Sequence, residues 1–257
     1  MEGGKVNSKT DGIRMIQLRP QDTYHKSQLA RLLIEIIDNS VLGQNLYFKG
    51  GTCAAMRGFL DRFSIDLDFD LKMGVDRTVL AQELEKVFLK LDLGIKDQSK
   101  KTLDYIVKYK TDPNTRNTIK VEVVDVGPKA NKYELAYLPE IDRTTNCQTL
   151  ETMFANKLVA PLDRFERNRS IAGRDIYDIH YFYIKGFSYS PIIINERTGL
   201  SQSNFLQKLI DFVQEHITQT VIDEDLNTLL SNNQFNSVRK ILKIETLKLL
   251  ENDYLRL

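Results

Sequence analysis

The chain has 257 residues, 42% hydrophobic and 28% charged; this is ordinary globular composition with enough material for a real core, and it excludes disorder as the main state. Lys and Arg number 36 against 35 Asp and Glu, a net charge of +1, which excludes a strongly basic nucleic-acid coat or an acidic tail and leaves only a local basic site. No apolar run approaches the length of a transmembrane helix, and Cys53 and Cys147 cannot build a disulfide framework, so a cytoplasmic protein without membrane association is expected.

Residues 1 to 20 are polar and Gly/Lys/Ser-rich and read as a flexible leader without the apolar stretch of a signal peptide. Leu29, Leu32, Leu33, Ile36 and Ile37 recur at helical spacing, with Asp22 or Thr23 as cap and Gly43 ending the turn beyond. Leu46-Tyr47-Phe48 reads as a buried strand broken by Gly50-Gly51, and residues 52–57 as the start of a helix. Residues 65–71 alternate strictly, Ile65, Leu67, Phe69 and Leu71 on one face and Asp66, Asp68 and Asp70 on the other. Asp is a poor strand former, so three in one strand need an explanation. A helix over 79–91 ends near Gly94. Residues 103–110 and 118–126 form an antiparallel pair joined by the polar segment 111–116. From Thr149 onward the pattern is helix after helix, at 150–160, 174–185, 203–216, 223–230 and 235–250, with Gly186 as a C-cap. The fold class is therefore α/β with a mixed sheet over residues 21–148, followed by an all-helical domain over 149–257.

The chemistry concentrates between Leu46 and Leu71. A Gly-Gly turn between strand and helix lets backbone N–H groups approach phosphate oxygens, the helix N-terminus adds a positive dipole, and the Thr52 hydroxyl is one more donor. Fourteen residues separate Gly51 from Asp66. Alternate strand residues share a face about 6.7 Å apart. Asp66 and Asp68 so placed can converge on a pair of divalent ions, whose usual spacing is about 3.5–4 Å. Mg²⁺ takes one or two protein carboxylates plus substrate phosphates.

Gly50-Gly51-Thr52, with Arg62-Phe63-Ser64 leading into Asp66-Leu67-Asp68-Phe69, resembles the AbiEii/AbiGii toxin family of the DNA polymerase β-like nucleotidyltransferase superfamily. A second signature, Asn156-Lys157-Leu158, then Arg164, then Arg174-Asp175-Ile176-Tyr177-Asp178-Ile179, is similar to that family's downstream motif. Together they cover roughly residues 46 to 182; the last 75 residues carry no matching motif.

The resemblance implies that Gly50, Gly51 and Thr52 hold a nucleoside triphosphate, that Asp66 and Asp68 are metal ligands, and that Lys157 contacts the triphosphate. Arg62, Ser64 and Arg174 join the nucleotide-binding set. Asp178 is a second essential carboxylate, orienting a basic partner or contacting the nucleotide; Arg174, four residues earlier, shares its helix face. Glu122 is the candidate third metal carboxylate, with Asp125 as rival on the opposite alternation. Asp70 reads as a supporting or an exposed residue. Arg164, Arg167, Arg169 and Arg174 form the densest basic patch, an RNA-backbone site or a solvated face, and Arg57 is a further phosphate contact. Pro161 falls inside the expected Lys157 helix and is expected to end it. Cys53 reads as a small buried hydrophobe, and His25, His180 and His216 are too scattered for a metal site.

The resemblance implies Mg²⁺-dependent transfer of a nucleoside monophosphate from an NTP, at a two-ion site with Mn²⁺ as the alternative ion. The acceptor would be an RNA such as tRNA. The protein would be the toxin of a bacterial toxin–antitoxin or phage-defence system, with an antitoxin as partner. A protein or small-molecule acceptor, and a nucleotide-binding module acting without turnover through a partner protein, remain open.

Overall fold

Helical spacing places Leu29, Leu32, Leu33 and Ile36 on one buried face of α1 (Pro20–Asp38). The structure, a computed structural model, describes residues 20–99, 101–112, 115–125 and 127–257. The expected leader therefore lies outside the described residues up to Pro20, where α1 begins. The Asn39 side chain accepts from the amides of Val41 and Leu42 and caps α2 (Ser40–Asn45). There follow β1 (Leu46–Lys49), α3 (Gly50–Met56), β2 (Leu67–Leu71) and α4 (Arg77–Lys90), capped by Asp76. The remaining strands are β3 (Gly94–Gln98), β4 (Tyr105–Lys108), β5 (Thr118–Val124), β6 (Tyr133–Leu138) and β7 (Arg143–Gln148).

Among the described residues these strands form one mixed sheet in the order β3-β4-β5-β2-β1-β7-β6. The central strand β2 runs antiparallel to β1 and parallel to β5, with Asp68 in register with Lys49 on one side and Glu122 on the other. The alternating apolar residues Leu67, Phe69, Ile119, Val121 and Val123 are buried. Phe48 packs on Phe69 with ring centroids 5.4 Å apart, and Phe88 of α4 packs on Tyr105 of β4. The polar alternation of β2 and β5 faces the other way.

That polar face looks toward the helices that complete the chain. They are α5 (Leu150–Asn168), α6 (Gly173–Ile184), α7 (Pro191–Thr198), α8 (Gln202–His216), α9 (Gln219–Leu226), α10 (Asn232–Val238) and α11 (Leu242–Tyr254). The mixed sheet followed by helices is the expected fold class.

Several details depart from the sequence expectation, each for a local reason. Pro161 does not end its helix: α5 runs on to Asn168 with Pro161 buried inside. The missing N–H is tolerated where both flanks of the helix bury apolar side chains, Leu158 and Val159 before it and Leu162 after it. Strand β2 begins at Leu67 rather than Ile65 because the preceding backbone is engaged elsewhere; the Ile65 carbonyl accepts from His25 and the Asp66 carbonyl from Thr52. The single helix expected over 235–250 is two, since Gln219 donates to the Arg239 carbonyl that a continuous helix would use. β3 is wholly exposed and β6 is an edge strand showing Leu135 and Tyr137 to solvent. Edge strands need no apolar alternation, and none announces them.

His25 ties α1 to the approach of β2. Its Nε2–H donates to the Ile65 carbonyl at 3.1 Å, and Nδ1 lies 2.7 Å from the Tyr109 hydroxyl. Burial pulls its pKa from 6.5 down to about 4. The folded state favours the neutral ring, so its stabilisation is complete above pH 6.5 and is lost as pH falls through 4. Chemical denaturation of the wild type and His25→Gln at pH 7 and pH 4.5 checks this: the wild type loses roughly 2–3 kcal/mol more than the variant. Equal losses would remove His25 as the source.

Candidate active site

The site begins with two glycines, each with another group packed where a Cβ would stand. Gly50 has φ +76°, and a Cβ there would collide with the Asp68 carboxylate. A Cβ on Gly51 would stand 2.7 Å from the Ser64 hydroxyl and 3.0 Å from Arg62 Nη2. The turn thus brings bare backbone against the Asp68 carboxylate on one side and against Ser64 on the other.

Asp68 occupies the middle of the row Lys49–Asp68–Glu122 across three strands. Burial, reinforced by the negative charges of Glu122 and Asp66, pushes its carboxyl up to about 6. Asp66, just outside the strand, is also raised, chiefly by burial. Burial acts on Glu122 in the same direction, but the ion pair with Lys120 outweighs it and holds Glu122 below the ordinary range. Asp125, the rival, pairs with Arg77. Among the described residues no three His, Cys, Asp or Glu side chains form a ready-made metal cage. The donor set nonetheless fits a hard divalent cation. Mg²⁺ takes one or two carboxylates and completes its shell with water and phosphate, and among the described residues Asp66 and Asp68 are carboxylates without an ion pair of their own.

Asp178 is fully buried on α6 and carries two cations. Arg62 donates Nε–H and Nη2–H to its two oxygens at 2.5 and 2.7 Å, and Lys157 Nζ lies 2.7 Å from Oδ2. Burial alone would raise the carboxyl; Arg62 and then Lys157 hold it below the ordinary range instead. This corrects two expectations. Arg174 does not pair with Asp178; its backbone and side chain engage Asp225. Arg62 is committed to Asp178 and the Phe63 carbonyl rather than free for phosphate. Both oxygens of Asp178 are taken by Arg62 and Lys157, the arrangement expected of a carboxylate that orients a basic partner. Thr52 is also committed: its hydroxyl donates to the Asp66 carbonyl at 2.5 Å, because the loop folds back onto the helix start.

Two cavities meet over this face. The smaller, about 380 Å³, takes in Gly51, Ser64, Asp66, Arg164, Arg167 and Arg174. The larger, about 680 Å³, lies between the sheet and α5 and takes in Lys49, Gly50 and Asp70. Asp68, Glu122, Lys157 and Arg167 line both. Because α5 continues past Pro161, Lys157 and Arg164 sit seven residues apart on one helix face. Arg169 caps the same helix in a left-handed conformation, and Arg57 pairs with Glu134.

The pattern of sequence did not single out Lys49. Its ammonium is 2.6 Å from Asp70, itself buried and held by Gln148 at 2.6 Å and Tyr133 at 2.8 Å. The signal was present in β1, where Tyr47 and Lys49 alternate with buried Leu46 and Phe48. Gln148 and Tyr133 had none, since long-range strand pairing brings them in. Cys53 and Cys147 are both buried free thiols.

A family profile described as nucleotidyl transferase AbiEii toxin of a type IV toxin–antitoxin system matches residues 31–232. No curated protein matches the chain. JHP933 from Helicobacter pylori has a similar structure, with TM-score 0.54, 19% identity, and coverage of 92% of this chain and 94% of that one. A second Helicobacter pylori structure, described as a candidate nucleotidyltransferase, gives TM-score 0.58 at 19% identity over 93% of this chain and 97% of that one. MenT4, a nucleotidyltransferase toxin from Mycobacterium tuberculosis, gives 0.48 at 17% identity over 92% and 87%.

Removing the Asp178 charge strands the buried Arg62 and the half-buried Lys157. Asp178→Ala is expected to lower unfolding free energy by about 3–5 kcal/mol in denaturant titration. A loss under about 1 kcal/mol, the level of an exposed pair, would show the triad to be solvated.

Proposed function

Since the chain belongs to the AbiEii family of nucleotidyltransferase toxins, matching it over residues 31–232, we propose that it transfers a nucleoside monophosphate from an NTP to an acceptor hydroxyl. The observation that carries this reading is the placement of Asp68, in register with Glu122, against a Gly-Gly turn and a cation-lined cavity. Asp66, Asp68 and Glu122 would hold Mg²⁺, or Mn²⁺, at a two-ion site. Such ions supply charge neutralisation of the triphosphate and activation of the attacking hydroxyl.

The protein's own part is positioning and electrostatics. Backbone at Gly50 and Gly51 approaches the phosphates closely, Ser64 adds a hydroxyl, and Arg174 adds charge. Lys157 is the point charge for the triphosphate, fixed by Asp178 rather than left to its flexible stem. Arg62 completes that fixation from the other side. The side chains of Arg164 and Arg167 widen the basic rim where a polyanion approaches.

The acceptor is an RNA, tRNA being the leading case, and the basic rim supports this. The protein acts in the cytoplasm as the toxin of a toxin–antitoxin or phage-defence pair, with an antitoxin as the second component. Residues 21–148 are the nucleotidyltransferase core and 149–257 the helical domain.

The test is label transfer from each α-labelled NTP with Mg²⁺ to total tRNA, beside the Asp66→Ala/Asp68→Ala variant. Transfer from the wild type, reduced more than about 100-fold in the variant, supports the reading. Equal transfer by the variant would refute the carboxylate assignment. Mg²⁺–NTP at 100 times its Kd stabilises the fold by about 2.7 kcal/mol. That stabilisation without transfer would point to a protein or small-molecule acceptor.

A further inference from the structure

Three cations of the smaller cavity, Lys157, Arg164 and Arg174, each have a carboxylate holding them. Asp178 takes Lys157 at 2.7 Å and Asp175 takes Arg164 at 3.0 Å, both from buried positions on α6. The third carboxylate comes from α9, beyond the stretch that the two sequence motifs cover. Asp225 Oδ2 accepts the Arg174 backbone amide at 2.8 Å, and Oδ1 pairs with the guanidinium, 3.5 Å from Nη1.

These two contacts do separable things. α6 starts at Gly173 behind Ala172, whose methyl offers no acceptor to the first amides of the helix. Asp225 supplies one from a different helix. The two helices meet closely: a Cβ on Gly173 would stand 2.8 Å from the Val221 carbonyl oxygen and 3.0 Å from the Ile222 Cα. The ion pair is another matter. Both side chains are part-exposed, at 35% and 25%, and a pair of that kind adds little to stability. Its consequence is the direction in which the guanidinium points.

That direction matters because Arg174 shares the smaller cavity with Asp66. Burial raises the Asp66 carboxyl, and Arg174 is the foremost cation acting against it. A guanidinium on a flexible stem readily closes on a carboxylate in a two-pronged pair. Closed on Asp66, Arg174 would cover oxygens that a divalent cation needs and would turn its charge away from a phosphate. The pair in the structure is with Asp225 instead. Given the transferase reading, on which this rests, we infer that Asp225 is a positioning residue: it restrains Arg174 so that the guanidinium serves the triphosphate and Asp66 is left to the metal. A guanidinium has five N–H donors. Asp225 meets it at Nη1, so donors remain for phosphate oxygens. α9, which carries no motif, thereby acts on the chemistry through Arg174.

The experiment compares the full chain with Asp225→Asn, Arg174→Ala and the double variant. Asparagine keeps an oxygen for the Arg174 amide and gives up the charge, so the start of α6 is preserved while the guanidinium is released. Three quantities are read: the urea midpoint without ligand, the Kd for each NTP at saturating Mg²⁺ from thermal shift, and the Mg²⁺ concentration that produces half of that shift. Asp225→Asn is expected to leave the urea midpoint unchanged, to raise the Mg²⁺ half-point about 10-fold and to raise the Kd for NTP about 3-fold. Arg174→Ala is expected to raise the Kd for NTP about 10-fold with the Mg²⁺ half-point unchanged. In the double variant the Mg²⁺ half-point is expected to return to the wild-type value, because the competing cation is gone. A half-point unchanged in Asp225→Asn, or still raised in the double variant, would overturn the restraint. So would a urea midpoint that falls in step with affinity, which would make Asp225 a helix cap alone. A wild type that shows no Mg²⁺–NTP shift and transfers no label to tRNA would instead overturn the transferase reading itself.

Discussion

A buried carboxylate with two cations on it is the constraint from which the rest of this site follows. Asp178 sits on a helix far along the chain, Arg62 in the loop between the Gly-Gly turn and β2, and Lys157 on α5. None of the three could be buried alone, because an unpaired charge in a low-dielectric interior is prohibitively costly. Together they lock the loop of the sheet to two helices of the C-terminal half. Neighbouring contacts reinforce the same seam: Tyr177 donates to Asp61 at 2.6 Å, and the Phe63 amide donates to the Leu229 carbonyl at 2.9 Å. The distance between the carboxylates of β2 and the cations of α5 is therefore set by packing and not left to side-chain flexibility.

The second constraint is steric. Asp68 stands so close to Gly50, and Ser64 to Gly51, that any side chain on either glycine would displace a functional group. A turn carrying those groups has no room for Cβ, and the positive φ at Gly50 removes every inexpensive alternative. Behind it, a buried polar hub at Asp70 fixes Lys49 beside Asp68. The result is a dense field of opposite charges on one face of a sheet, with Asp68 held near 6 by burial and by its carboxylate neighbours. Such an arrangement suits a polyanionic ligand carried with divalent cations better than it suits any neutral one.

The legible parts of the fold are those in which local pattern and tertiary burial agree. α1, β1, β2, β5, α6 and α8 all carry apolar residues at the period their buried face requires. The elements that left no mark are the edge strands β3 and β6 and the strand β7. The edge strands β3 and β6 are largely exposed, which removes the alternation, and β7 is polar in sequence although it pairs with the remote strand β1. Pro161 misleads for a related reason. Its missing hydrogen bond is a local cost, while the apolar burial that keeps α5 whole comes from the tertiary structure.

The sequence by itself determined which residue types meet at the site: two glycines, alternating aspartates, a strand glutamate, and a lysine and aspartate on later helices. It determined them because each chemical role tolerates few side chains and leaves a short-range spacing. Only the tertiary structure decided which of these groups face a ligand and which serve one another. Thr52, Arg62 and Asp178 are spent internally, Arg174 turns to Asp225, and Lys49 joins through Asp70. Those assignments depend on ion pairs and hydrogen bonds between residues tens to more than a hundred positions apart. A buried charge takes whichever partner the packing brings to it, and no local pattern records that choice.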